Sequence, residues 1–361
     1  MKIVKYIFIL IILFSIAGSV FVATQKSDFS VEKTALIRVH KSVVFNYLSD
    51  YKNWEEWYLQ KSQNSSIETQ FPLISSGQNA YFTWESSDGD GKIETISLKE
   101  NDSIHQKIIS GGNEFESIIK LKDTLGGTKI SWISKGSVDF MTKINATFYG
   151  GIDKMMVSFF DKKLTVLKKT IIDEISSFHV QVKGIVDILG NFYIKKTYRC
   201  KNADLNNQLH YKLPIIYSFF KKNKIAMTGK PFVIYEKRTT DSITFSVCGS
   251  IQDEIFIAPG SDVETGYMEP FKALKTTLKG DYSHRTALQK KAVEYINKNQ
   301  ITPDTYLKEI EVFEISAEEI RNPSKWQTDL LIPVKPIVVS PTTTIEEKDT
   351  LQPQKTTNKN I

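Results

Sequence analysis

The stretch W-Q-T-D-L-L-I-P-V, residues 326–334, decides how the second half of the chain is read. It is a run of strand-forming residues interrupted by one acid, Asp329. In a strand, successive side chains face opposite sides. Trp326, Thr328, Leu330 and Ile332 therefore share one face, and Gln327, Asp329 and Leu331 share the other. The first set suits a face covered by helices. Asp329 then points to the uncovered side, where an acid half-buried among aromatic rings attracts a cationic, apolar ligand. The bland alternative is an exposed acid on a final strand.

Working outward, the residues around this strand form a block over 181–334. GNFYIKKTYRC, PFVIYEKRTTD, SITFSVCGSI and GYMEPFKALKTTLKGDY predict strands. LNNQLHYKLPIIYSFFKKNKI predicts a helix with a kink or break near Pro214. In HRTALQKKAVEYINKN, residues Leu288, Ala292, Tyr295 and Ile296 share one helical face. YLKEIEVFEI and WQTDLLIPV complete the block, giving strand–helix–strand–strand twice over. With Lys279-Gly280-Asp281-Tyr282 before the second helix and T-D-L-L-I-P at the end, this order resembles the GyrI-like small-molecule-binding domain, the effector-binding module of AraC-type and MerR-type regulators. The resemblance implies a ligand cleft in which the acid of the last strand is the residue most tied to binding. The family usually carries Glu there, and Asp329 is one methylene shorter. Tyr235, Tyr193 and Trp326 are the candidate cleft aromatics.

A first block spans residues 31–177. The strand VEKTALIRV and the short helix SVVFNYLSD precede five strand-like runs: AYFTWES, KIETISLKE, IHQKIIS, ESIIKLKD and TKISWISKGS. Connectors such as SSDGDG, SGGNE and DTLGG carry turn residues, so one antiparallel sheet is expected. A long helix follows Gly150-Gly151, with Ile152, Met155, Met156, Phe159, Leu164, Leu167 and Ile171 on one face. This order, with NWEEWY at 53–58, looks like the START-like, polyketide-cyclase-type SRPBCC superfamily, although Glu55 stands where Pro often follows the first Trp. The superfamily wraps its sheet around the final helix and leaves an apolar cavity. The expected lining is Trp84, Ile118, Ile130, Trp132, Met155 and Phe159, with Trp54 and Trp57 packing the rim. The fold class expected for the whole chain is thus α+β.

The ends differ from both blocks. Residues 6–23, YIFILIILFSIAGSVFVA, carry no charge and follow Lys2 and Lys5 in the cytoplasmic segment 1–5. Such a run is long enough to cross a bilayer, and the preceding lysines predict a cytoplasmic N-terminus. A single-pass anchor with extracytoplasmic (periplasmic) domains is the reading adopted; a cleaved signal peptide competes with it. Residues 24–30 form a polar spacer, and 335–361, rich in Thr, Pro and Lys, predict a disordered tail.

Composition excludes several classes. The net charge is +6, but 42 of the 47 basic residues are Lys, interleaved with acids, so a solvated surface and no nucleic-acid site is expected. Two cysteines, Cys200 and Cys248, and five scattered histidines give no metal-ligand spacing. No phosphate loop or G-x-S-x-G elbow occurs, and no cofactor, metal or catalytic residue is assigned. Without a DNA-binding segment, the expected function is a membrane-anchored protein binding a small hydrophobic or amphipathic ligand, for sensing, sequestration or transfer. The alternative is a hydrolase or cyclase acting on small hydrophobic compounds in one of the two clefts.

Overall fold

The computed structural model describes residues 2–60, 66–87, 89–258 and 260–336. The tail expected over 335–361 thus lies almost wholly outside the described residues. The apolar N-terminal run forms one helix, α1 (Lys2–Thr24). Among the described residues it is the one helix long and apolar enough to cross a membrane. Only Gln25, Lys26 and Ser27 separate it from the first strand.

Two sheets form among the described residues, one of seven strands and one of eight. The first contains β1 (Asp28–Ile37), then, after α2 (Lys41–Ser49), β2 (Glu68–Gln70), β3 (Tyr81–Glu85), β4 (Gly91–Lys99), β5 (Ser103–Ser110), β6 (Asn113–Thr124) and β7 (Gly127–Ser137). All pairs are antiparallel, in the order β1-β7-β6-β5-β4-β3-β2. Two helices follow, α3 (Phe140–Phe148) and α4 (Ile152–Ser176), and α4 lies across β1. Its buried positions are Ile152, Met156, Phe160, Leu164, Leu167 and Ile171. Phe160, not Phe159, is the fully buried ring, because it continues the i, i+4 row of Ile152, Met156 and Leu164. On β6 the inward positions are Ser117, Ile119 and Leu121, which leaves Ile118 on the opposite side. Helix α3 and strand β2 had no counterpart in the sequence reading.

Rings fill the space between this sheet and α4. Trp54 and Trp57 are both fully buried with centroids 4.5 Å apart, and Trp132 meets Phe160 at 4.6 Å. The Trp54 indole N–H donates to the Leu48 carbonyl at 2.9 Å, and that of Trp132 to Ser117 Oγ at 2.6 Å. Gly91 is required opposite Trp84, since a Cβ there would stand 2.1 Å from the indole ring.

The second sheet holds β8 (His179–Ile188), β9 (Asn191–Lys201), β10 (Phe232–Arg238), β11 (Ser242–Ile251), β12 (Glu264–Met268), β13 (Phe271–Lys279), β14 (Ile310–Ile315) and β15 (Gln327–Pro333). Helix α5 (Leu205–Asn223) follows β9, and α6 (Arg285–Lys298) follows β13. The order is β12-β9-β11-β10-β14-β15-β13-β8, which reads alike in both directions from the central β10–β14 pair. That central seam is short: Phe232 opposite Val312, Val233 opposite Glu311, and Ile234 opposite Ile310.

Two connections dictate the sheet's shape. Residues 189–190 join β8 to β9, and residues 269–270 join β12 to β13, yet each pair of strands lies six positions apart in the sheet. Six strand spacings in a flat sheet span about 29 Å, whereas a two-residue link reaches about 11 Å. The sheet must therefore curl until its ends meet. They meet at Gly190, where a Cβ would come within 2.6 Å of the Tyr267 hydroxyl and 2.8 Å of the Met268 carbonyl. The sequence reading began this block at Gln181 and missed β8; it also took residues 266–282 as a single strand, which Pro270 divides. Helix α5 runs through Pro214 without a break. A Pro inside a helix costs about 3 kcal/mol, offset here by burial of Leu209, Leu213, Ile216 and Phe220.

Candidate functional site

Helices α5 and α6 cover one face of the second sheet. Trp326 packs with the α5 cluster, and Leu330 and Ile332 with Leu288, Ala292 and Ile296 of α6. Asp329 and Leu331, of opposite parity, face the helix-free concave side. There the curl encloses a cleft of about 200 Å³. Its apolar wall comes from Ile188, Phe232, Met268, Ile310, Val312 and Leu331, and its rim from Asn191, Ser250 and Lys230.

The chemistry at its base is carried by three residues on adjacent strands. Asp329, 1% exposed, accepts from Thr277 Oγ1 at 2.5 Å and lies 2.6 Å from Lys275 Nζ. The same ammonium stands 3.9 Å from Glu314 Oε1. Burial, and next the negative charge of Asp329, push the Glu314 carboxyl above the usual carboxylate range, against the pull of Lys275. Two acids thus share one lysine, whose side chain remains 29% exposed to the cleft. On the rim, the Asn191 amide donates to Ser250 Oγ at 2.7 Å, and Lys230 is held by Glu319.

The other expected site residues are distributed over three places. Tyr193 stands beside the cleft, its ring edge-on to Phe232 at 5.6 Å. Tyr235 lies on the helix-covered face, where its hydroxyl accepts from Arg285. Arg285 also grips Glu311 in bidentate fashion, with both contacts at 2.6 Å. Trp326 is fully buried on that face too; its indole N–H donates to the Ile320 carbonyl at 2.7 Å. Trp84, Trp132, Met155 and Phe159 belong to the first domain, within the ring-filled core. Glu314 and Lys275 escaped the sequence reading. A lysine two residues before Thr277 on one strand, with acids at 314 and 329 on the next two, is a signal visible only once the register is known. Cys200 and Cys248 are both free; they pack on opposite faces of the sheet, Cys200 toward α5 and Cys248 toward the cleft side.

The two domains meet on the helix side. His40, capping α2, stacks on His210 of α5 at 5.1 Å, and His210 Nε2 lies 3.7 Å from Asp281 Oδ2. His40 Nδ1 accepts from the Ser42 backbone N–H at 3.3 Å, a role only the neutral ring can fill. Burial first, then the neighbouring His210 and Lys41, hold His40 down at about 4, against Asp123 and Asp281. His210 is lowered by burial as well. Because the folded state resists protons that the unfolded chain accepts near 6.5, stability is present above that pH and falls as pH drops toward 4. Allowing for the solvent-facing part of the ring, we expect a loss of about 1–2 kcal/mol over this window. Thermal unfolding across pH should show it, and His40→Asn, which keeps a capping side chain but cannot titrate, should flatten the profile.

No protein family matches the sequence of this chain, and no curated protein does. Solved structures similar to it include the C-terminal domain of EcmrR (13% identity, 44% of this chain, 99% of that one, TM-score 0.37). Another is protein CV1439 from Chromobacterium violaceum (8% identity, 39% of this chain, 95% of that one, TM-score 0.30). A third is EcmrR in a complex with DNA (13% identity, 60% of this chain, 88% of that one, TM-score 0.37). Against that DNA complex, the expectation that nucleic acid has no place with this chain is withdrawn. The charge argument behind it was too strong, since interleaved lysines bind phosphates as point charges without any Arg cluster.

Proposed function

We propose that the chain binds a small amphipathic cation in the cleft over Asp329. The observation that carries this reading is a buried acid, Asp329, and a partly exposed one, Glu314, sharing one partly exposed lysine at the base of an apolar cavity. A ligand cation entering the cleft can take the place of the Lys275 ammonium, while its apolar body covers Phe232, Ile310, Val312 and Leu331. The mirrored strand order supports reading the domain as a duplicated strand–helix–strand–strand unit of the GyrI-like type. Binding is favoured over hydrolysis because Asp329 is 1% exposed, with Thr277 bonded to one oxygen and the Lys275 ammonium 2.6 Å from the other, so water has little access to it.

The reading of the first domain as START-like is supported by its seven-stranded antiparallel sheet crossed by α4. The reading of α1 as a membrane anchor, with the domains outside the cytoplasm, is supported by its length and the lysines before it. Tethering there concentrates membrane-partitioned ligands near the cleft.

Calorimetric titration with tetraphenylphosphonium, an apolar monocation, tests the binding reading. Affinity should fall by about tenfold or more in Asp329→Asn, the value of one partly desolvated charge contact. It should also weaken as pH falls through the raised range of Glu314, because the protonated acid no longer attracts a cation. Equal affinity in the variant and the parent, or no binding to either, would sink the proposal.

A further inference from the structure

Helix α3 carries its apolar stripe on the outside. At about 100° per residue, Phe140, Met141, Ile144 and Phe148 fall on one side, and Ala146 falls opposite. Ala146 is buried at 3% exposure, whereas Phe140, Met141 and Phe148 are 43%, 66% and 85% exposed, followed by Tyr149 at 53%. A helix serving only the domain core would turn this stripe inward.

Its neighbour identifies what covers it. Helix α3 packs against the C-terminal end of α1, where Lys143 Nζ donates to the Ala23 carbonyl at 3.3 Å. The large apolar side chains of α1 from Ile3 to Phe21 are themselves exposed to their surroundings, and Val22 is buried where the helix ends. The outward rings of α3 thus sit at the level where the apolar run of α1 stops. At that level Lys26, Lys143 and Lys154 edge a hollow of about 230 Å³ beside Gly150 and Gly151. Aromatic side chains with lysines alongside are what the headgroup region of a bilayer accommodates.

We propose that α3 is an interfacial helix. Phe140, Met141, Phe148 and Tyr149 enter the boundary between headgroups and acyl chains of the bilayer that α1 spans, and Lys143 and Lys154 face lipid phosphates, while Lys26 in the same hollow is paired with Asp153 at 3.1 Å. This rests on the reading of α1 as an anchor. It adds that the first domain lies down on the membrane through two contacts instead of swinging from one.

The test uses the full-length chain in vesicles of phosphatidylcholine and phosphatidylglycerol. With Cys200→Ser to silence the more accessible thiol, Phe148→Cys and, separately, Met141→Cys carry an environment-sensitive fluorophore. Both positions are exposed, so neither substitution disturbs the core. The expected result is a blue-shifted emission, mostly lost with lipids spin-labelled near the headgroup and insensitive to aqueous iodide. Quenching by iodide, or by neither agent, overturns the proposal. A parallel Ile12→Cys label separates the two readings. Deep-chain quenching at position 12 with iodide quenching at 148 removes the α3 inference alone, whereas iodide quenching at 12 removes the anchor and α3 with it.

Discussion

Glu311→Ala should destabilise the second domain by about 3–5 kcal/mol, the cost of leaving one member of a buried ion pair alone. Glu311 is fully buried and Arg285 nearly so, and each guanidinium contact to the carboxylate is 2.6 Å long. Arg285 also donates to Tyr235 and, at 3.3 Å, to Asn206 of α5, so one cation joins α6, α5 and the centre of the sheet. Removing the carboxylate leaves that buried cation with only neutral partners, the Tyr235 hydroxyl and the Asn206 amide. Burial alone would lower the Arg285 affinity for its proton, and Glu311 more than reverses this. The double variant Glu311→Leu with Arg285→Met should recover most of the loss, because two apolar side chains leave no charge unpaired. Chemical unfolding followed by tryptophan emission can read the effect locally. Trp326 reports on the second domain, and the remaining four tryptophans, at 54, 57, 84 and 132, report on the first.

Lys275→Met should be the second large perturbation, costing about 3 kcal/mol by the same logic at the base of the cleft. Asp329 is 1% exposed and, once the ammonium is gone, keeps its Thr277 hydroxyl beside a second acid, Glu314. This loss differs from that at Glu311 in one respect: the space left by the lysine opens to the cleft. A cationic ligand can enter it. Tetraphenylphosphonium at a hundred times its Kd should restore about 2.7 kcal/mol to Lys275→Met, and its affinity should exceed that for the parent, where it competes with the lysine. Thermal shift with and without the cation checks both statements. A variant stabilised no more than Asp329→Asn would refute the competition.

Much of this architecture was legible in the sequence, for identifiable reasons. Period-two alternation in WQTDLLIPV placed Asp329 opposite Leu330 and Ile332, and the coordinates place them so. The helix after Gly150-Gly151 was visible from its spacing and from the turn before it. What escaped was non-local. Glu314 and Lys275 join Asp329 through register across three strands, and no local pattern encodes register. Tyr235 and Tyr193 were both read as cleft aromatics; the structure sends the first to Arg285 and the second to the cleft margin. Helix α3 was overlooked because it is only nine residues long and carries Thr142, Asn145 and Thr147, which weaken its local helix signal.

The seam between β10 and β14, only three residue pairs long, has a mechanical consequence. Phe232 from one half-sheet and Ile310 and Val312 from the other rest against the same cavity, so an occupant would touch both halves at once. On the reverse side, α5 lies over one half-sheet and α6 over the other, and Arg285 ties the two helices through Asn206. His210 of α5 leans on His40, and His284, just before α6, contacts the Ile175 carbonyl at 2.7 Å. The helices that back the two halves of the cleft are thus also the ones that meet the first sheet's side of the molecule.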